Sequence, residues 1–428
     1  MISSEKQSIN WLGLVIWSIA ALFFLYEFFL RTFVGTVAHQ IIPDLNLNAE
    51  TFSILGSAYY LAYAVMQIPV GILVDKFGVK RIMIFATLVC AAATYLFAHA
   101  SGFYSAVAGR LLMGFGSSFA FVCLLVIAVT WFPRKLFGFF AGASQFIGTM
   151  GPLLAGGPLI VLMAEQHTSW RTALTEISII GVILALLIVL IVKNKPRGGE
   201  SVLIFLHSEK SIKERLRRLV LNHQAWWIAL YSATNYVSLA LLGAVWGTEY
   251  LQTRGLSQVY AADMISLAWL GYAIGCPALG ALSDITKRRK PVLCFCAILG
   301  LCTTSLIVFS SLHAKALYTV LFFMLGVAAS GQNIGFATIT EQVSSTTRAT
   351  ALGLNNGAIV LLSALVPPVV SYFINAAAQH QTVLRADDFI VGLSIMPILY
   401  AVALLISLFM IKETFCKPQK QTIILQTE

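Results

Sequence analysis

The chain has 428 residues, of which 58% are hydrophobic and 11% charged, and its mean hydropathy is +0.84. A soluble domain carries about 25% charged residues, so this composition excludes a soluble globular protein. The net charge of +10 would suit phosphate binding, but the basic residues lie in short segments between apolar blocks, which argues against nucleic acid as a partner.

The apolar blocks predict twelve membrane-spanning helices, because each block is long enough to cross a hydrocarbon layer of about 30 Å. The N-terminal half (1–192) has predicted spans near 11–38, 52–73, 80–100, 103–130, 137–164 and 172–192. After a polar linker (193–224), the C-terminal half (225–428) has predicted spans near 225–251, 262–283, 290–311, 315–339, 349–376 and 388–411. The first block is too long for the apolar core of a signal peptide, so we expect it to remain as a span. The predicted fold class is an all-α polytopic membrane protein of two six-helix bundles.

Lysine and arginine predict the orientation of the chain. If the N-terminus is inside, 22 of the 28 basic residues fall on the inner side. Both termini are therefore expected in the cytoplasm, and the protein in the cytoplasmic (inner) membrane. Within the linker, residues 208–221 interleave charged and apolar side chains, which is typical of an amphipathic helix on the membrane surface, the alternative being a solvated tether.

The turns after the second and the eighth predicted spans carry one repeated pattern. The first reads GILVDKFGVKR from Gly71, and the second reads GALSDITKRRK from Gly280. Glycine and aspartate match at an offset of 209 residues, and the same offset aligns Tyr63 with Tyr272. Two halves related by a sequence repeat are a recurring architecture of secondary transporters.

These turns resemble the loop motif of the major facilitator superfamily, G-x-x-x-D-(R/K)-x-G-(R/K)-(R/K), although the second copy has Lys287 in place of the later glycine. The sequence RLLMGFG from Arg110 resembles the fourth-helix pattern of that family. The segments at 131–133 and 341–353 resemble its other inner loops. The resemblance implies a secondary transporter with alternating access, in which the inner loops form a gate.

The gate residues that follow from this resemblance lie in the two repeated turns and in the loop before the eleventh span. They are Gly71, Asp75, Gly78, Lys80, Arg81, Gly280, Asp284, Arg288, Glu341 and Arg348. Within this set, Glu341 is expected to pair with Arg348. These residues are expected to act as a latch that holds the two halves together on the inner side. Contacts that break and form again supply a two-state element that can rock between the two faces. The alternative is a turn that only caps helices.

The ionisable residues predicted inside the first half are candidates for transport chemistry, since charges inside spans are costly. Glu27 is expected about 16 Å from the outer end of its span, with Arg31 one turn later on the same face. Arg110, Tyr59 and Tyr63 are expected in the same layer. Glu27 is a candidate proton carrier, and Arg31 or Arg110 a candidate partner for it or for a substrate carboxylate. A static buried ion pair is the alternative.

The second half contributes polar and aromatic candidates. Glu249, which follows Trp246 near the outer end of the seventh span, is expected to close an outer gate, to meet a substrate amine, or to lie in interfacial water. The other cavity candidates are polar or aromatic residues within predicted spans: Gln145, Asn235, Tyr236, Trp269, Tyr272, Gln332, Asn333, Asn355 and Asn356. Taken singly, each could equally be a helix–helix hydrogen bond.

The sequence therefore predicts a monomeric secondary transporter that takes up a small anionic or zwitterionic metabolite, a carboxylate or amino acid, together with protons. One surplus arginine beside a single acid favours a negatively charged substrate. Export by proton antiport, of a drug, siderophore or other metabolite, is the main alternative, and a transporter-shaped receptor or sensor a further one. No metal site, cofactor, phosphate-binding loop or catalytic constellation is evident in the sequence, so an enzyme is not expected.

Overall fold

The computed structural model describes residues 11–133, 137–194, 217, 219–310, 315–344, 347–379 and 384–417. Most of the predicted linker helix at 208–221 lies outside these residues, as do the first ten and the last eleven residues of the chain. Within the described residues the fold is helical, and the helices form two groups of six.

The helices of the N-terminal half are α1 (Trp11–Thr36), α2 (Ala49–Phe77), α3 (Val79–Ala98), α4 (Phe103–Ser117 and Ala120–Trp131), α5 (Phe137–Leu154 and Gly157–Glu165) and α6 (Trp170–Ile191). A short helix, Ala38–Asp44, extends α1 on the side where α2 begins. We call this side outer and the opposite side inner.

The helices of the C-terminal half are α7 (His223–Leu241, a π-helical turn Leu242–Trp246, and Gly247–Thr253), α8 (Gln258–Ile285), α9 (Lys290–Phe309), α10 (Lys315–Ala329 and Gly331–Glu341), α11 (Arg348–Ala377) and α12 (Ala386–Leu393, Ile395–Leu405 and a π-helical turn Ile406–Met410).

Twelve helices of membrane-spanning length confirm the predicted fold class. Among the described residues, ten helices are long and apolar enough to cross a membrane, and the bent α5 makes an eleventh. The remaining helix, α2, has 29 residues and is therefore about 44 Å long. It exceeds its predicted span because an Asn48–Thr51 capping box starts it early and because it continues through the polar residues before Gly78.

Close helix contacts repeat between the two halves. In the first half, Gly114 of α4 lies against the backbone carbonyl of Tyr59 in α2; in the second, Gly326 of α10 lies against the carbonyl of Ala268 in α8. Tyr59 and Ala268 are related by the same 209-residue offset as the repeated turns. A Cβ atom at either glycine would overlap the facing carbonyl oxygen, so both positions require glycine.

We expect Gly114→Ala and Gly326→Ala each to destabilise the folded protein, since overpacking a close contact costs about 1–3 kcal/mol. The thermal unfolding midpoint of the detergent-purified variants measures this effect. Gly142→Ala is the matched control, because a Cβ at Gly142 meets no atom within 4 Å. Equal midpoints for all three variants would contradict the proposed close packing.

Candidate functional site

A buried ion pair lies within α1. Glu27 has no solvent-exposed surface, and the Arg31 guanidinium approaches both carboxylate oxygens, with Nη2 at 3.1 Å from Oε1 and 3.2 Å from Oε2. The Tyr59 hydroxyl donates to Glu27 Oε2 at 2.7 Å. A buried carboxylate needs such partners, because an unpaired charge is costly away from water.

Aromatic rings surround the Arg31 guanidinium. Its central carbon lies 4.0 Å from the ring centroid of Phe28, 4.8 Å from that of Tyr63 and 5.8 Å from that of Tyr59. These distances are short enough for cation–π attraction. The buried Nε of Arg31 has no hydrogen-bond partner among the described residues. Arg31 is therefore held by one carboxylate and several rings, and it retains an unused donor.

Arg110 contacts backbone carbonyls in this layer. Its Nη1 donates to the carbonyl of Leu30 at 2.6 Å, its Nη2 to that of Arg31 at 3.3 Å, and its Nε to that of Leu55 at 3.4 Å. The sequence left open which arginine pairs with Glu27, and the structure shows that it is Arg31. Arg110 ties α4 to α1 and α2.

The C-terminal half closes the site from the opposite side. Trp269 of α8 meets Phe28 at 6.3 Å between centroids, and Tyr236 of α7 lies close to the Arg31 guanidinium. The Tyr236 ring is 5.8 Å from that of Tyr272. The Tyr272 hydroxyl donates to Gln332 Oε1 at 2.7 Å. The ion pair therefore lies between the two halves.

The other predicted cavity residues occupy varied surroundings. Asn235 and Asn355 are fully buried, and their side-chain amides have no hydrogen-bond partner among the described residues. Gln145 on α5 and Asn333 on α10 are half-buried. Asn356 donates to Gln67 Oε1 at 2.6 Å and so joins α11 to α2. Sequence reasoning missed Gln67, although it follows Tyr63 by one helical turn on the same face.

The halves also meet nearer the outer side, through Trp246. Its indole Nε1 donates to Ser53 Oγ of α2 at 3.0 Å and to Ser371 Oγ of α11 at 3.1 Å, and the two hydroxyls contact each other. We call Trp246, Ser53 and Ser371 the outer clasp. Trp246 ends the π-helical turn of α7, an irregularity often found at functional sites. In the next helical segment, Glu249 is partly buried, and its Oε1 has no partner among the described residues.

We expect Trp246→Phe to loosen the outer side, because phenylalanine keeps an aromatic ring but lacks the indole N–H. Loss of two hydrogen bonds should raise access from outside by about tenfold. A Ser57→Cys reporter, one turn inward of Ser53, measures access as its rate of labelling by an impermeant maleimide, in a background without the native cysteines. The reporter with native Trp246 is the control, and equal rates would rule out the clasp as a gate.

On the inner side, the two repeated turns share one backbone feature. Gly78 has φ +81°, and Lys287, which stands 209 residues later, has φ +53°. The second turn therefore keeps a positive φ where its glycine is missing. The side chain of Asp75 lies outside the described part of the structure. Gly71 and Gly280 lie near the inner ends of α2 and α8, and Arg81 is exposed on α3.

The second turn forms an ion-pair network centred on Arg289. Its Nη1 lies 2.6 Å from Asp284 Oδ1, and its Nη2 lies 2.8 Å from Glu341 Oε1. Glu341 was expected to pair with Arg348, and the arginine that contacts its carboxylate in the described part of the structure is Arg289, at the start of α9. Arg288, the arginine named from the sequence, lies instead near the Phe415 ring, with 5.9 Å from its guanidinium carbon to the ring centroid.

Two six-helix halves with a buried charged site between them define a polytopic membrane transporter. Residues 16–368 match the family model of the Major Facilitator Superfamily. The chain belongs to this superfamily, and the resemblance noted in the sequence is confirmed.

Two bacterial relatives are similar to the chain. The chain is 26% identical to the hexuronate transporter of Bacillus subtilis (strain 168) over 263 residues, which are 60% of the chain and 61% of that transporter. It is 25% identical to the probable galactarate/D-glucarate transporter GudP of the same organism over 387 residues, with 82% of the chain and 83% of the relative covered.

Among solved structures, that of a D-xylose–proton symporter matches with a TM-score of 0.73 at 15% identity. The match covers 96% of the chain and all of the symporter chain. At this identity the likeness supports the fold alone.

Proposed function

We propose that the chain takes up a small carboxylate together with protons across the cytoplasmic membrane, with both termini inside. The observation that carries this proposal is the buried Glu27–Arg31 pair between the two halves. The names of the two relatives support the acidic substrate, because hexuronate, galactarate and D-glucarate are all carboxylates. An amino acid remains within the same proposal, since it also carries a carboxylate.

The coupling follows from the competition of two carboxylates, that of Glu27 and that of the substrate, for Arg31. In the empty site, Arg31 neutralises Glu27, and Arg110 adds one further positive charge. A substrate carboxylate that pairs with Arg31 displaces Glu27, which would then be a second, unpaired anion in a buried site. Arg110 does not replace the lost partner, because its donors are directed at three backbone carbonyls. An unpaired buried carboxylate is costly, so Glu27 takes up a proton when the substrate binds. The buried charge is then the same in the empty and in the loaded site.

Alternating access carries the loaded site between the two faces. The outer clasp and the Asn356–Gln67 hydrogen bond each join the halves and must break when their side opens. Because the loaded and the empty sites carry equal charge, neither state has an added electrostatic barrier to this motion. One proton moves with each substrate molecule, so uptake of a monocarboxylate is electroneutral and uptake of a dicarboxylate carries one net negative charge.

The test is uptake of radiolabelled D-glucuronate, a monocarboxylate, by proteoliposomes. An inside-alkaline pH gradient should drive accumulation, whereas a membrane potential imposed without a pH gradient should not. D-Glucarate, a dicarboxylate, should respond to both. Accumulation driven by an inside-acidic gradient would identify an exporter by proton antiport, and no transport of either acid would refute the proposed substrate class.

A further inference from the structure

A polar side chain that follows the last helix of each half caps a helix start beside a repeated turn. In the first half, Asn194 comes after α6, and its Oδ1 accepts from the backbone N–H of Lys80 at 2.9 Å. In the second half, Glu413 comes after α12. Its Oε1 accepts from the N–H of Arg289 at 2.9 Å, and its Oε2 from that of Lys290 at 3.0 Å. Lys80 and Arg289 are equivalent positions, related by the 209-residue offset.

The cap is more elaborate in the second half than in the first. Residues 411–417 form a tail segment that contacts three other parts of the inner side. Thr414 donates to Glu341 Oε2 at 2.5 Å, so the tail joins the network around Arg289. The backbone N–H of Lys412 donates to Gln224 Oε1 at 2.9 Å, which attaches the tail to the start of α7. The first half has one further bond at this place, from Lys80 Nζ to the carbonyl of Val189 at 2.7 Å.

The Glu413 carboxylate is ionised throughout the physiological pH range. Partial burial acts to raise its pKa, but the backbone N–H groups of Arg289, Phe415, Lys290 and Thr414 donate to it and hold the pKa below its ordinary value. A lowered pKa in the folded state means that this stabilisation is complete above the ordinary carboxyl pKa. It is lost only as the pH falls through the lowered value.

We propose that Asn194 and Glu413 are positioning residues for transport: each fixes the start of the third helix of its half, so that the inner turn and the bundle move as one body. The inference rests on the proposed alternating access. An inner turn that is free to shift would move partly on its own and would weaken the coupling between the halves. The tail segment therefore helps the inner turn and the C-terminal bundle to move as one body.

Hydrogen exchange of the purified protein tests this inference without a substrate. Glu413→Ala should speed exchange of peptides covering 287–295 by about tenfold, since hydrogen bonds to a charged acceptor are lost. Peptides covering 79–87 should be unchanged. Asn194→Ala should do the reverse, and by less, because its cap is neutral. Glu413→Gln keeps one acceptor oxygen and should be intermediate, while Glu165→Ala, which removes an exposed carboxylate on the outer side, should have no effect.

Transport supplies a second readout, with D-glucuronate as the probe. Glu413→Ala should lower the maximal rate and leave the KM unchanged, because the substrate site is intact, and Glu413→Gln should restore part of the rate. Unchanged exchange, or faster exchange spread evenly over both turns, would overturn the inference. If the unaltered protein fails to transport the probe, the proposed function fails, while the exchange result still decides the role of the caps.

Discussion

We expect replacement of Glu27 with glutamine to abolish the accumulation of substrate driven by a pH gradient, while exchange of labelled for unlabelled substrate should continue. Glutamine keeps the size of the side chain and an oxygen that Tyr59 can reach, but it cannot carry a proton. The variant site resembles the protonated, loaded site of the natural protein, so Arg31 stays free for the substrate carboxylate. Transport then equilibrates the substrate without concentrating it.

The expected size of this effect follows from the coupling. With one proton per substrate, a gradient of one pH unit supports about tenfold accumulation, since it is worth about 1.4 kcal/mol. Proteoliposomes with Glu27→Gln should reach equal concentrations inside and outside. Glu165→Gln, at an exposed position, is the control and should accumulate normally. Gradient-driven accumulation by Glu27→Gln would eliminate Glu27 as the proton carrier.

The sequence was most informative where a pattern is periodic or repeated. Apolar blocks predicted the twelve helices because each must match the thickness of a membrane, and the offset of 209 residues predicted that the two halves share their turns. Glu27 and Arg31 could be placed together because residues four apart share a helix face. In the structure, Glu27 and Arg31 form an ion pair across this four-residue spacing.

Contacts between separate helices were not predictable from such patterns. Ser53 and Ser371 of the outer clasp are small hydroxyl residues in apolar helices, and nothing in their spacing distinguishes them from other serines. Arg289 and Arg288 are adjacent, and only the direction of the α9 start decides which of them reaches Glu341. Nothing in the sequence indicated the role of Glu413, because the helix start that it caps, at Arg289 and Lys290, lies in a distant part of the chain.

The two arginines show the same limit most clearly. As candidates for binding a substrate carboxylate, Arg31 and Arg110 were equivalent in the sequence, because both are single basic residues at similar depth. Arg31 faces Glu27 and the aromatic side chains between the halves, whereas Arg110 donates to three backbone carbonyls. Their substitution should therefore have different consequences.

Arg31→Lys should weaken binding of D-glucuronate by about tenfold to a hundredfold. Lysine keeps the positive charge, but it lacks the planar fork that binds a carboxylate through two N–H groups, and charged hydrogen bonds are worth about 1.5–3 kcal/mol. Arg31→Ala should remove detectable binding and leave Glu27 without its partner. Isothermal titration of the purified variants with D-glucuronate measures both effects, and an unchanged affinity in Arg31→Ala would end the case for an anionic substrate at this site.

Arg110→Lys is the matched comparison, because it makes the same change of side chain in the same layer. Its expected effect is on the fold: fewer donors remain for the carbonyls of Leu30, Arg31 and Leu55, so the thermal unfolding midpoint should fall. The affinity of the folded fraction for D-glucuronate should change much less than in Arg31→Lys. If the Arg110 variant instead lost affinity without losing stability, the substrate carboxylate would belong to Arg110, and Arg31 would be only the static partner of Glu27.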